Sequence, residues 1–119
     1  MKDFRDLKVW KRSHSLTLKI YKTTSEFPRE ETYGLTSQIR RSCASIPTNI
    51  AEGCGRSRDT ELARFLEIAI GSSSELEYWI LLCFDLHLID RVDHDSVMGE
   101  IVEIKRMLIS FFQKLKANG

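Results

Sequence analysis

Apolar residues recur along the chain at steps of three and four, and no alternating run is long enough to nominate a strand. The pattern predicts an all-α fold of four helices. The first runs from about Leu7 to Ser25 with two neighbouring stripes, Leu7/Trp10/His14/Thr17/Tyr21 and Val9/Ser13/Leu16/Ile20. It stops at Phe27-Pro28, because the residue before a proline is pushed out of the helical region.

The second helix is predicted from about Glu30 to Glu52, with Leu35, Ile39, Cys43, Ile46 and Ile50 on one side and Gly53-x-Gly55 as its stop. Pro47 lies inside it and removes one backbone hydrogen bond, so the expectation is a kink near Ser42 to Ile46, with a break into two helices as the competing reading. The third follows a cap region at Ser57-Arg58-Asp59-Thr60 and runs to about Leu88. Its apolar stripe is Leu62, Phe65, Ala69, Ser72, Leu76, Trp79, Cys83 and Leu86. The fourth, from about Asp93 to Lys116, repeats Val97, Ile101, Ile104, Leu108, Phe111 and Leu115 in the rhythm of a bundle seam, with Asp93 or Asp95 as its cap. Short connections between long helices make sequential neighbours antiparallel, and the expected architecture is an up-and-down four-helix bundle.

Length adds that residues 1–119 form one domain, since 119 residues do not fill two ordinary cores. The longest apolar run, Tyr78 to Phe84, is far too short to span a bilayer, and the first residues mix acids and bases without an apolar signal core. The expected location is therefore the cytoplasm, with no membrane partner. Three cysteines without a CxxC pair read as reduced thiols. Cys43 and Cys83 fall on core stripes, whereas Cys54, in the glycine turn beside Arg56 and Arg58, is expected to be the most exposed and to have a lowered pKa.

Charge changes the picture more. Residues 1–60 carry 12 Lys/Arg against 7 Asp/Glu, while residues 61–119 carry 6 against 10. Lys8, Lys11, Arg12, Lys19 and Lys22 lie off the apolar stripes of the first helix, and Arg40, Arg56 and Arg58 extend them into a candidate phosphate-contacting patch. The bland alternative is an ordinary solvated face. A second candidate is the polar stripe Gln38, Arg41, Ser45, Asn49 and Glu52 on the second helix, with Ser72 and Glu75 opposite on the third. Bordering apolar stripes, these side chains are expected to form a hydrogen-bonded network. No catalytic residue is nominated from them.

No His follows a Glu by three positions, which disfavours a bundle di-iron site. His87, Asp90, Asp93, His94 and Asp95 cluster at the turn between the third and fourth helices, but read as a solvated acidic turn. Neither a metal nor another cofactor is expected. Gly53-Cys54-Gly55-Arg56-Ser57-Arg58 lacks both the pattern and the preceding strand of a nucleotide-binding glycine loop.

Longer motifs go beyond periodicity. Phe4-x-x-Leu7-x-Val9-Trp10, Phe27-Pro28-x-Glu30, Tyr33-Gly34-Leu35-x-x-Gln38-Ile39-Arg40-Arg41, Ser45-Ile46-Pro47-x-Asn49-Ile50-Ala51-Glu52-Gly53, and Gly71-Ser72 with Glu75-Leu76-Glu77 occur in this order. In these the chain resembles the bacterial four-helix bundle proteins encoded in 23S ribosomal RNA intervening sequences. The resemblance implies a left-handed up-and-down bundle and a ring-shaped homopentamer. It also implies kinship with the accessory variability determinant of diversity-generating retroelements, which binds nucleic acid together with a reverse transcriptase. The family motif falls on Arg40, Arg41, Ser45, Asn49, Glu52, Gly53, Phe65, Ser72 and Glu75.

The function expected from residues and resemblance together is a non-enzymatic oligomeric adaptor that contacts RNA or DNA through Lys and Arg. The alternatives are a protein-interaction module that touches no nucleic acid and a small all-α nuclease. For the last, the Arg91 to His94 step is shorter than the Arg-to-His spacing such nucleases use.

Overall fold

A computed structural model describes residues 2–118. Four α-helices carry the fold: α1 Lys8–Thr24, α2 Ser37–Cys54, α3 Asp59–Asp85 and α4 Arg91–Asn118. No strand occurs among the described residues. Each helix packs on its sequence neighbours, and α4 returns against α1. The cross-contacts fix the directions: Arg40 of α2 reaches Thr24 of α1, Gly53 at the end of α2 lies against Leu62 and Phe65 near the start of α3, Phe84 of α3 lies against His94 of α4, and Lys19 of α1 bonds Ser96. Low residue numbers meet high ones at every seam, so the helices run antiparallel in a rod of 45 × 22 × 20 Å. None of the described helices is long and apolar enough to cross a membrane.

The core follows the predicted stripes. On α1 the Val9/Ser13/Leu16/Ile20 stripe is buried, while the Trp10/His14/Thr17/Tyr21 stripe is left on the shoulder beside α2. All five apolar positions assigned to the second helical region are buried, as are Val97, Ile101, Ile104, Leu108 and Leu115 of α4. The stripe drawn on α3 is one edge of a wider buried face completed by Leu66, Ser73 and Ile80, because α3 has a long neighbour on each side. Leu86 falls off that face and is exposed.

Three local expectations change, and one open alternative is decided. The start of the second helical region winds as a 3₁₀ turn over Arg29–Glu31 and a π turn over Thr32–Thr36 before α2 begins. Pro47 does not break α2, which continues through it from Ser37 to Cys54. The end of α3 comes at Asp85 rather than Leu88, because His87 adopts a left-handed φ of 62°. There Leu88 N–H donates to Cys83 O and His87 N–H to Phe84 O, the paired bonds that close a helix end. A β-carbon is strained in that conformation, so His87→Gly should raise stability by about 0.5–1 kcal/mol, read as a higher urea midpoint with unchanged slope. Finally, the cap of α4 is neither Asp93 nor Asp95 but Asp90, whose Oδ1 accepts from Asp93 N–H at 2.8 Å.

Cys54 is also a correction: it is buried, at 1% exposure, like Cys43 and Cys83. The N-terminal segment folds across the end of α2, where Lys2 N–H donates to Cys54 O at 3.1 Å. Burial pushes the Cys54 thiol up, and the nearby Lys2 only partly opposes it. Burial likewise raises Cys43 to about 11 and Cys83 to about 12.

Candidate nucleic-acid interface

The eight cations singled out in the sequence divide by what they touch. Lys8, Lys11 and Lys22 stand on the outer side of α1, and Arg58 precedes the first turn of α3. All four are exposed and have no carboxylate partner among the described residues. Lys19 donates to Ser96 Oγ, a neutral partner that leaves its charge uncompensated.

The other three are engaged. Arg12 crosses to α4, with Nε 2.9 Å from Glu100 Oε1 and Nη2 3.1 Å from Glu100 Oε2, and Glu103 lies 3.6 Å from Nη1. It clamps α1 to α4, so reversing its charge would place three carboxylates together and disturb the bundle. Arg40 donates to Thr24 Oγ1 at 2.8 Å and to Tyr21 O at 3.2 Å, and its guanidinium lies 4.5 Å above the Tyr21 ring. A cation on the last carbonyls of α1 complements that helix's dipole and ties α1 to α2. Arg56 pairs with Glu52 at 3.0 Å and covers the Phe65 ring at 5.0 Å.

The polar stripe of α2 resolves into two groups on the α2–α3 seam. Arg41 bonds Gln38 Oε1 and pairs with Glu75, which in turn accepts Trp79 Nε1–H at 3.1 Å. One turn on, Ser45 and Ser72 share a 2.8 Å hydrogen bond, and Asn49 donates to Ser45 O and Oγ. Glu52 lies apart from both groups. Its exposed pair with Arg56, four residues on, contributes only a few tenths of a kcal/mol. The Ser45–Asn49–Ser72 group is half-buried, and each neutral bond there contributes about 1 kcal/mol. The stripe holds two helices together.

Folding also recruits cations that sequence order kept apart. The end of the rod formed by the start of α1, the α2–α3 turn and the end of α4 comprises residues 2–15, 48–71 and 105–118, with twelve Lys/Arg against six Asp/Glu. The opposite end, residues 16–47 and 72–104, holds six against eleven. Net charges of +6 and −5 are thus separated along the long axis. Near the waist, pairs such as Arg12–Glu100, Arg41–Glu75 and Lys105–Glu77 compensate one another. Arg64, Lys105, Arg106, Lys114 and Lys116 join the basic end, although they lie in the half of the sequence that is acidic overall. At the acidic end, Asp90 is occupied in capping α4, and His94 Nδ1 pairs with Asp95 Oδ1 at 2.9 Å.

Between α1 and α2 lies a shallow groove lined by Phe4, Trp10, His14, Ala44, Pro47 and Ala51. Trp10 stacks on His14 with ring centroids 4.9 Å apart, and Phe4 meets Trp10 edge-on at the same separation.

A family model described as 23S rRNA-intervening sequence protein matches residues 5–110. Among solved structures, the chain is similar to the crystal structure of a protein of unknown function from the S23 ribosomal protein family of Bacteroides thetaiotaomicron. That match has 28% identity and a TM-score of 0.79, covering 87% of this chain and 97% of the other. No curated protein matches the chain. With the model spanning all four helices and both groups of the α2–α3 seam, the chain belongs to the 23S rRNA-intervening sequence protein family.

Proposed function

We propose that the protein is a non-enzymatic, oligomeric bundle that contacts RNA or DNA through phosphate-directed Lys and Arg at its basic end. The observation that carries this reading is the separation of +6 from −5 along a 45 Å rod. A polyanion approaching such a molecule is drawn to one end and repelled from the other, which orients the encounter as well as favouring it. Lys8, Lys11 and Arg58, exposed and without a carboxylate partner among the described residues, are among the cations free to meet phosphate there.

Self-association is supported by the aromatic groove of α1 and α2, which leaves Trp10 half-buried on a face that none of the described helices covers. A homopentameric ring, as the resemblance implies, would repeat the basic end and turn weak phosphate contacts into avidity. Light scattering that returned only a 13.8 kDa species over a wide concentration range would remove this part of the proposal. The same exposed groove, together with Tyr33 at 95% exposure, favours the second reading, a module that docks a protein such as a reverse transcriptase.

The test of nucleic-acid contact is binding to a long duplex and to a structured RNA across salt concentrations. Log affinity should fall linearly with log salt, with a slope of about −0.9 per phosphate neutralised on duplex DNA. Combined Lys8→Glu, Lys11→Glu and Arg58→Glu substitutions should flatten the slope and weaken binding without changing the circular dichroism. Absence of binding at low salt, or equal binding by the triple variant, would transfer the adaptor role to protein partners.

A further inference from the structure

The N-terminal segment leaves part of α4 uncovered. Residues 2–6 turn toward α2, where Lys2 N–H reaches Cys54 O and Phe4 packs on Trp10, instead of continuing alongside α4. Where α1 begins, a crevice of about 310 Å³ therefore stays open between the two helices. Its floor is apolar, made by Leu7, Val9, Met107 and Phe111. Its rim carries Lys8 and Lys114, neither with a carboxylate partner among the described residues, together with Arg106 and the Ser110 hydroxyl. Arg106 is held in place by Glu103, with Nε 2.9 Å from Oε2, and this bond keeps the Glu103 carboxyl below its usual pKa. Arg12 Nη1 lies 3.8 Å from the Met107 sulfur.

We propose that this crevice binds a single nucleotide, with its base against Phe111 and Met107 and its phosphate at the Lys8–Lys114 rim. The assignment rests on the nucleic-acid reading above and gives that reading a place on the surface. Two lysines without carboxylate partners at one mouth, with Arg106 beside them already paired to Glu103, suit the double charge of a phosphate monoester better than a single carboxylate. An aromatic ring beside a polarisable thioether offers a base a stacking platform without reading its sequence. The volume lies at the small end of ligand sites, and the cations at its mouth favour an anion with a short apolar body. The crevice opens at the positive end of the rod, where phosphates are concentrated by the field.

Methyl NMR of the full chain, titrated separately with adenosine monophosphate, inorganic phosphate and octanoate, tests the assignment. The monophosphate should move the Met107 methyl resonance saturably and leave Met98, toward the other end of α4, in place. Lys114→Glu should weaken that binding by about tenfold or more, whereas Glu26→Gln at the acidic end should not change it. Ser110→Phe, which fills the crevice, should block the nucleotide while retaining the salt dependence of duplex binding. If adenosine monophosphate leaves Met107 unmoved while a long duplex still binds, the crevice assignment fails and the phosphate reading stands. If neither binds, the underlying reading fails with it. An equal shift from inorganic phosphate overturns the base contact, and octanoate acting in place of the nucleotide overturns the ligand class.

Discussion

Gly53→Val is expected to lower the stability of the bundle by at least about 2 kcal/mol. A β-carbon built at Gly53 would lie 2.8 Å from Leu62 Cδ1 and 2.9 Å from Phe65 Cβ. The leucine methyl can turn aside, but Phe65 Cβ is fixed to the α3 backbone, so α2 and α3 would have to separate where α3 begins. Overpacking of this kind typically costs about 1–3 kcal/mol, and valine adds two methyls to the clash. Replacing a helical glycine returns only about 0.5–1 kcal/mol. The control is Gly71→Ala on α3, where an added β-carbon meets nothing within 4 Å and the propensity gain should appear as a modest stabilisation. Thermal or urea unfolding of the two variants should therefore move in opposite directions. A Gly53→Val protein as stable as the parent would show that the close approach of α2 and α3 is not required.

The second large effect is expected at Leu76, fully buried midway along α3, the helix flanked by α2 and α4 over most of its length. Leu76→Ala removes buried methyl groups and leaves a cavity that neighbours on both sides cannot both collapse into. The loss should fall at about 2–5 kcal/mol, a large share of the roughly 5–15 kcal/mol that holds a domain together. Leu76→Met, which conserves volume, should cost less than about 1.5 kcal/mol. A lower urea midpoint at unchanged slope for alanine, and near-parental behaviour for methionine, is the expected pattern.

The heptad-like rhythm of α4 and the five apolar positions of the second helical region made most of the fold legible in the sequence, because a buried helix face must repeat every three or four residues. What spacing did not reveal has local causes. The exposed-turn reading of Cys54 overlooked the N-terminal segment that folds over it, a contact between residues more than fifty positions apart. The end of α3 at Asp85 depends on His87 adopting a left-handed conformation more often taken by glycine, which no apolar period reports. For the candidate site, Lys8 and Lys11 were identifiable from the helix face they occupy, whereas Lys19, Lys22 and Arg40 of the same sequence patch fall toward the acidic end of the rod. Arg12 was not recognisable as a clamp, since Glu100 and Glu103 come from the far end of the chain. Likewise Lys114 and Arg106 counted toward an acidic half of the sequence until antiparallel packing placed them beside Lys8.

The three buried cysteines give the bundle built-in reporters of its own opening. They stand at different heights: Cys54 at the basic end, Cys43 near the waist opposite Thr17, and Cys83 toward the acidic end. Sheltered thiols with raised pKa values react with an alkylating reagent only when the helices around them part. The labelling rate at each site thus records the free energy of a regional excursion rather than of surface chemistry. Rates that coincide for all three would mark a rod that opens as one cooperative unit. Faster modification of Cys54 or Cys83 than of Cys43 would instead time the fraying of one end while the waist stays closed, adding a clock to a static arrangement.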